Sequence, residues 1–270
     1  MAALKAVHSD NPLIRKLSAN QAATCLPIRL SRSVHILQMA KAADFDSVYF
    51  DMEQSSISLD DIGSLSLAAW NMGLAPLVRV PSHDPVTIAR CLIAGASGVI
   101  VPHVETADEA RAIVRAARFR PRGTRALAGA SPPLGYAALS PDEGSAILDA
   151  RTLVIVMVES MAAVGNADAI CAVDGVDLVL VGAGDISDDL GVHGNSSDPR
   201  IRAAFEAVWS ACSRHGRWLG VAGIKQQPDL IRGLRELGAT FITSSTDESL
   251  LLKSVRAEAQ LLAESFTGVV

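Results

Sequence analysis

The sequence predicts a (β/α)8 barrel of the TIM type, and three observations predict it. Short apolar runs alternate with longer amphipathic segments from one end to the other, the mark of βα units around a parallel sheet. Eight such runs can be read, and the 270 residues of the chain are what eight βα units of one domain occupy. A single domain over residues 1–270 is expected.

The elements follow in order. Residues 22–29, AATCLPIR, form the first apolar run. Residues 47–53, SVYFDME, start β-branched and aromatic and end on Asp51 and Glu53, which at a spacing of two point to one side of a strand's exit. Residues 75–80, APLVRV, carry Arg79 near their end, and Asp84 with Pro85 then opens a helix that Gly95 closes. Residues 98–104, GVIVPHV, lead into Thr106 and Glu109, spaced as a capping box. Ser140, Pro141 and Glu143 repeat that signal ahead of residues 152–159, TLVIVMVE, which are apolar up to Glu159. Residues 177–181, DLVLV, pass into the turn Gly182, Ala183, Gly184, Asp185, and the last runs, 218–222 and 240–244, are preceded by helix-stopping Gly216 and Gly238.

Two segments stand outside the repeat. Residues 120–139, RPRGTRALAGASPPLGYAAL, make a long Gly/Pro-rich connection of a kind that is commonly functional or disordered, and this loop, together with a neighbouring subunit, is expected to shape the barrel mouth. Residues 248–266 form an amphipathic helix longer than one strand needs, expected to pack on a neighbouring subunit.

Composition narrows the partners. A 49% hydrophobic content and mean hydropathy of +0.29 call for a sizeable core. The net charge of −5, with no Lys/Arg cluster interleaved with aromatics, speaks against nucleic acid. No apolar run approaches membrane-spanning length, and the N-terminal MAALKAVHSDNPLIRKL lacks the apolar core of a signal peptide. Cys25, Cys91, Cys171 and Cys212 lie far apart in apolar segments, without zinc-site spacing, which suits buried thiols in a cytoplasmic protein.

Chemistry is expected at the C-terminal ends of the strands. Glu159 and Asp185 end consecutive, otherwise uncharged strands, and such strands run about 4.8 Å apart, so both carboxylates can reach one ion. An all-oxygen donor set favours Mg2+ or Mn2+, with Co2+ also accepted. Either acid alone would also serve as an N-cap; the pair on neighbouring strands favours the metal. Arg79 suits a carboxylate or a developing oxyanion, or equally an ion pair with Asp51 or Glu53. The small residues Gly182, Ala183 and Gly184 let backbone amides approach an anion. Lys225, one of five lysines, could form a Schiff base with a carbonyl substrate, though a solvated loop lysine is the plainer reading. His83 and His103 are read as polar rim residues that can reach the mouth.

The words DMEQ, PLVRVP, GASGVIVPHVETADEA, VMVES and GAGDIS, in this order and spacing, resemble the HpcH/HpaI aldolase family over nearly the whole chain. The resemblance implies a divalent-metal lyase that makes or breaks a carbon–carbon bond of a 2-oxo acid through a pyruvate enolate, with an aldehyde as the other partner. It places the metal on Glu159 and Asp185, the substrate carboxylate near Gly182, Ala183 and Gly184, and the enolate oxygen at Arg79. It also implies a homo-oligomer, a hexamer or trimer, that exchanges C-terminal helices. Two positions depart from the family pattern. Gln54 stands where the family has an acid/base histidine held by the acid at Asp51, and Met157 stands where a glutamine contacts substrate.

Loss of that histidine leaves an altered aldolase using water, His83 or His103, or a lyase whose enolate arises by loss of CO2 from an oxaloacetate-like acid. Gln54 is then expected to orient substrate or water while Asp51 supports the site electrostatically. A citrate synthase- or lyase-like thioester enzyme, and a 2-oxo acid binding protein without turnover, are the rival readings.

Overall fold

The computed structural model describes residues 11–127, 129–193, 198–224 and 227–266. Eight parallel strands close into one barrel in sequential order: β1 Ala23–Ile28, β2 Ser47–Asp51, β3 Ala75–Arg79, β4 Gly98–Val101, β5 Leu153–Val158, β6 Leu178–Gly182, β7 Trp218–Ala222 and β8 Ala239–Thr243. Each of the eight expected runs overlaps one strand, with β6 ending and β8 beginning one residue outside its run. Most strands stop a residue or more early, so Glu53 and Glu159 lie just beyond strand ends rather than within them.

The helices are α1 Pro12–Ser18, α2 His35–Ala42, α3 Leu59–Asn71, α4 Pro85–Ala94, α5 Ala107–Ala117, α6 Pro141–Arg151, α7 Met161–Gly165, α8 Ala167–Cys171, α9 Ala183–Asp189, α10 Pro199–His215, α11 Pro228–Leu237 and α12 Asp247–Phe266. The expected caps hold. Thr106 and Ser140 each accept from the third helical amide while Glu109 and Glu143 return the bond. Gly95, Gly216 and Gly238 end α4, α10 and α11 at positive φ.

Side chains alternate between two packing layers, as strand geometry requires. Leu77, Ile100, Ile155, Leu178, Leu180 and Phe241 fill the barrel, and Leu13 and Leu17 of α1 join this interior cluster. Val48, Phe50, Val78, Val99, Val156 and Val179 face outward onto the helices. At β7 the interior is so full that a side chain on Gly220 would press within 3.0 Å of Leu178, Leu180 and Phe241.

The long connection corrects the expectation placed on it. Helix α5 carries the chain from the mouth to the opposite end before the loop begins, so residues 120–139 lie by the start of β5. There Arg118 binds the carbonyl of Thr152 and the carboxylate of Asp177. Leu134 and Leu127 pack with Phe119 and Leu148, and Arg151 donates to the Pro133 carbonyl. No described residue of the loop lines the mouth cavities of its own chain. Among the described residues, no helix is long and apolar enough to cross a membrane.

Candidate active site

The β2–β3 register sets Asp51 beside Arg79, so both side chains leave adjacent strand ends on the same face. Arg79 Nε donates to Asp51 Oδ1 at 2.9 Å and Nη2 to Oδ2 at 2.6 Å, a two-pronged contact. Its Nη1 comes within 2.7 Å of Glu53 Oε2 but out of line for a hydrogen bond, leaving that buried oxygen with a charge contact and no donor. Both sequence readings of the ion pair therefore hold together. A guanidinium has five N–H bonds, so Arg79 retains protons on its terminal nitrogens for a substrate oxygen.

Asp51 is fully buried and holds a second cation. Arg29, the residue after β1, donates from Nε to Asp51 Oδ2 at 2.6 Å and from Nη2 to Gln54 Oε1. Burial would raise the Asp51 carboxyl, but the hydrogen bonds and charges of Arg79 and Arg29 outweigh it and hold Asp51 below the usual carboxylate range. The same pairing overcomes the burial of Arg79 and keeps it charged.

Gln54 is thus an acceptor for Arg29 and lines the cavity at the mouth; the oxygen–nitrogen assignment follows from that bond. Arg29 was not singled out from sequence. Its signal was the one used for Arg79, a cation at the end of an apolar run.

Glu159 and Asp185 meet on the other side of the mouth, over Gly182. A Cβ on Gly182 would lie 2.9 Å from Glu159 Cγ, 3.1 Å from Glu159 Oε1 and 3.1 Å from Asp185 Oδ2, so only glycine lets both carboxylates converge here. Burial pushes the Glu159 carboxyl up, and the neighbouring Asp185 adds to that, against the opposing hydrogen bond from the His103 amide. A cation between the two oxygens would relieve both effects. Among the described residues no group of three or more His, Cys, Asp or Glu gathers as a metal cage. Two carboxylates with water and substrate completing the shell is the habit of Mg2+-like ions, so the residues present fit such an ion.

His103 reaches this centre from the rim. It takes a left-handed backbone, φ 53°, its amide donates to Glu159 Oε2 at 2.8 Å, and its Nε2 lies 3.0 Å from Glu53 Oε1. The ring thereby spans the two acidic groups while staying largely exposed. His83 is engaged elsewhere, with Nε2 on the Pro102 carbonyl at 2.7 Å.

Gly182 ends β6, while Ala183 and Gly184 begin α9, whose start has no side-chain cap. Asp185 falls in the first turn of that helix. Met157 faces into the barrel and closes the floor of a cavity of about 300 Å3 that also takes in Arg29, Gln54, Arg79, Gly182 and Asp185. Lys225 lies outside the described residues.

The chain as a whole matches known proteins. The HpcH/HpaI aldolase/citrate lyase model matches residues 30–254. The chain is 39% identical to 4-hydroxy-4-methyl-2-oxoglutarate aldolase tasA of Hapsidospora irregularis, over 90% of this chain and 91% of that one. The crystal structure of an HpcH/HpaI aldolase from Desulfitobacterium hafniense DCB-2 superimposes with a TM-score of 0.89 at 27% identity, covering 94% of this chain and 98% of that one. The citrate synthase SbnG shares the fold, with a TM-score of 0.84 at 21% identity over 96% of this chain and all of its own. With the family match running through strands β2 to β8 and a 39% identical relative aligned over 90% of the chain, the chain belongs to the HpcH/HpaI aldolase/citrate lyase family.

Proposed function

We propose that this protein is a divalent-metal-dependent carbon–carbon lyase that splits a 4-hydroxy-2-oxo acid into pyruvate and a carbonyl compound, with oxaloacetate decarboxylation accompanying it. Aldolase relatives that align along nearly the whole chain support the reaction class. The observation that carries the site is the convergence of Glu159 and Asp185 over Gly182.

Glu159 and Asp185 would hold the ion, Mg2+ or Mn2+ with Co2+ as a further candidate. When bound, such an ion supplies Lewis-acid polarisation of the 2-oxo group. Arg79, fixed by Asp51, lends a positive centre to the oxygen on which charge develops as the bond breaks. The uncapped start of α9, with Gly182, Ala183 and Gly184, receives the 1-carboxylate. Gln54 cannot take a proton, and its amide orients the hydroxyl or a water. The proton of the 4-hydroxyl passes to water or to the His103 ring, whose Nε2–H Glu53 steadies. Loss of CO2 needs no base, so decarboxylation depends on the remaining groups alone.

The exposed apolar residues of α12, among them Leu251, Leu261 and Phe266, support a homo-oligomer, a hexamer or trimer, in which this helix is exchanged. Buried, unbridged cysteines suit a reducing, cytoplasmic setting.

Pyruvate release from 4-hydroxy-4-methyl-2-oxoglutarate, followed with and without Mn2+, tests the reading. Ion-dependent release supports it. Free coenzyme A produced from acetyl-CoA and oxaloacetate, with no release from the hydroxy acid, would favour a thioester enzyme instead.

A further inference from the structure

Resting on that reading, we infer that Arg29 forms a second anion subsite, which selects substrates whose acceptor half carries its own carboxylate. Arg29 enters the cavity from the β1 exit, across the mouth from the acid pair on β5 and β6. A 4-hydroxy-2-oxo acid with its C1 and C2 at Glu159 and Asp185 therefore extends C4 and its substituents towards Arg29 and Gln54.

The guanidinium is built to meet such a group. Nε and Nη2 are committed to Asp51 and Gln54, while Nη1 makes no hydrogen bond among the described residues and the side chain is 25% exposed. Asp51 is shared with Arg79, so in this corner one buried carboxylate serves two cations. Glu53 stands with Arg79 and His103. The positive charge of Arg29 is thus only partly answered by the protein.

The surroundings are polar to match. The wall beside Arg29 is the β8 exit, where Thr243, Ser244, Ser245, Thr246 and Ser249 line the same cavity. Hydroxyl groups can donate to the carboxylate oxygen that Arg29 does not hold.

The position of Arg29 is set in advance. Three successive amides, of Arg29, Leu30 and Ser31, donate to the carboxylate of Asp247 at 2.8–3.2 Å. The fork is therefore fixed at both its backbone and its Nε, as selective binding of a planar anion requires.

The test uses two 4-hydroxy-2-oxo acids of one carbon skeleton, one ending in a carboxylate and the other in the primary amide, with Mn2+ and the full-length protein. The wild type should favour the carboxylate by about 10- to 100-fold in kcat/KM, mostly through KM. Arg29→Gln should lower kcat/KM for the carboxylate more than for the amide, so that the preference falls to near one, and Arg29→Lys should keep part of it.

Equal use of both acids by the wild type, or an undiminished preference in Arg29→Gln and Arg29→Lys, would overturn the subsite and leave the lyase reading standing. Cleavage of neither acid by the wild type, with no ion-dependent exchange of pyruvate, would overturn the lyase reading and the subsite with it.

Discussion

Asp51 is the residue on which the mouth is organised, because one fully buried carboxylate orients both Arg79 and Arg29. Its folded pKa is depressed, so its contribution to stability is complete above the unfolded value of about 4 and is lost as pH falls through the lower folded value. Asp51→Asn should cost about 3–5 kcal/mol at neutral pH, because it leaves two cations under-compensated. The difference between variant and wild type should stay flat from about pH 8 to pH 5 and shrink below about pH 4, read as urea midpoints at each pH. A difference that grows on acidification would contradict the pairing. The acids at the strand ends were legible in the sequence, since a lone charge closing an apolar run in a barrel marks the mouth. The claim of Arg29 on Asp51 was not, because it depends on the β1–β2 register, Ile28 beside Phe50, which no run of apolar residues specifies.

At the scale of elements, helix α12 does two jobs that its amphipathic pattern alone does not reveal. Its first residue, Asp247, ties down the β1 exit, and the rest of the helix is exposed. Asp247→Ala should unfix residues 29–31 and lower stability by about 2–3 kcal/mol, since several amides lose their acceptor at once. It should also raise KM for a carboxylate-ended substrate more than it slows pyruvate proton exchange; equal effects on both would place Asp247 in general stability alone. The strands and their helix caps were readable because each rests on local chemistry: apolar run length, capping boxes and helix-ending glycines. The end of the barrel at which residues 120–139 sit is not given by the length of the loop. The capping box at Thr106 already announced that α5 would carry the chain away from the mouth before the loop began.

For the whole molecule, the barrel explains how a pair of acids meets: two neighbouring strand ends bring them together, and a glycine beneath them keeps the space open. What a single chain leaves open to solvent is α12, with Leu261 57% and Phe266 77% exposed. Sedimentation should give a mass several times the 28.3 kDa of one chain, and Leu261→Glu with Phe266→Glu should reduce it. A wild-type monomer would remove the exchanged-helix assembly without touching the site.

The most direct test of the central claim is Mn2+ binding followed by electron paramagnetic resonance, with and without pyruvate. The account predicts one ion per chain, held more tightly with pyruvate present, and lost in Glu159→Gln and Asp185→Asn variants that remain folded. Unchanged binding in both variants would place the ion elsewhere and contradict the account.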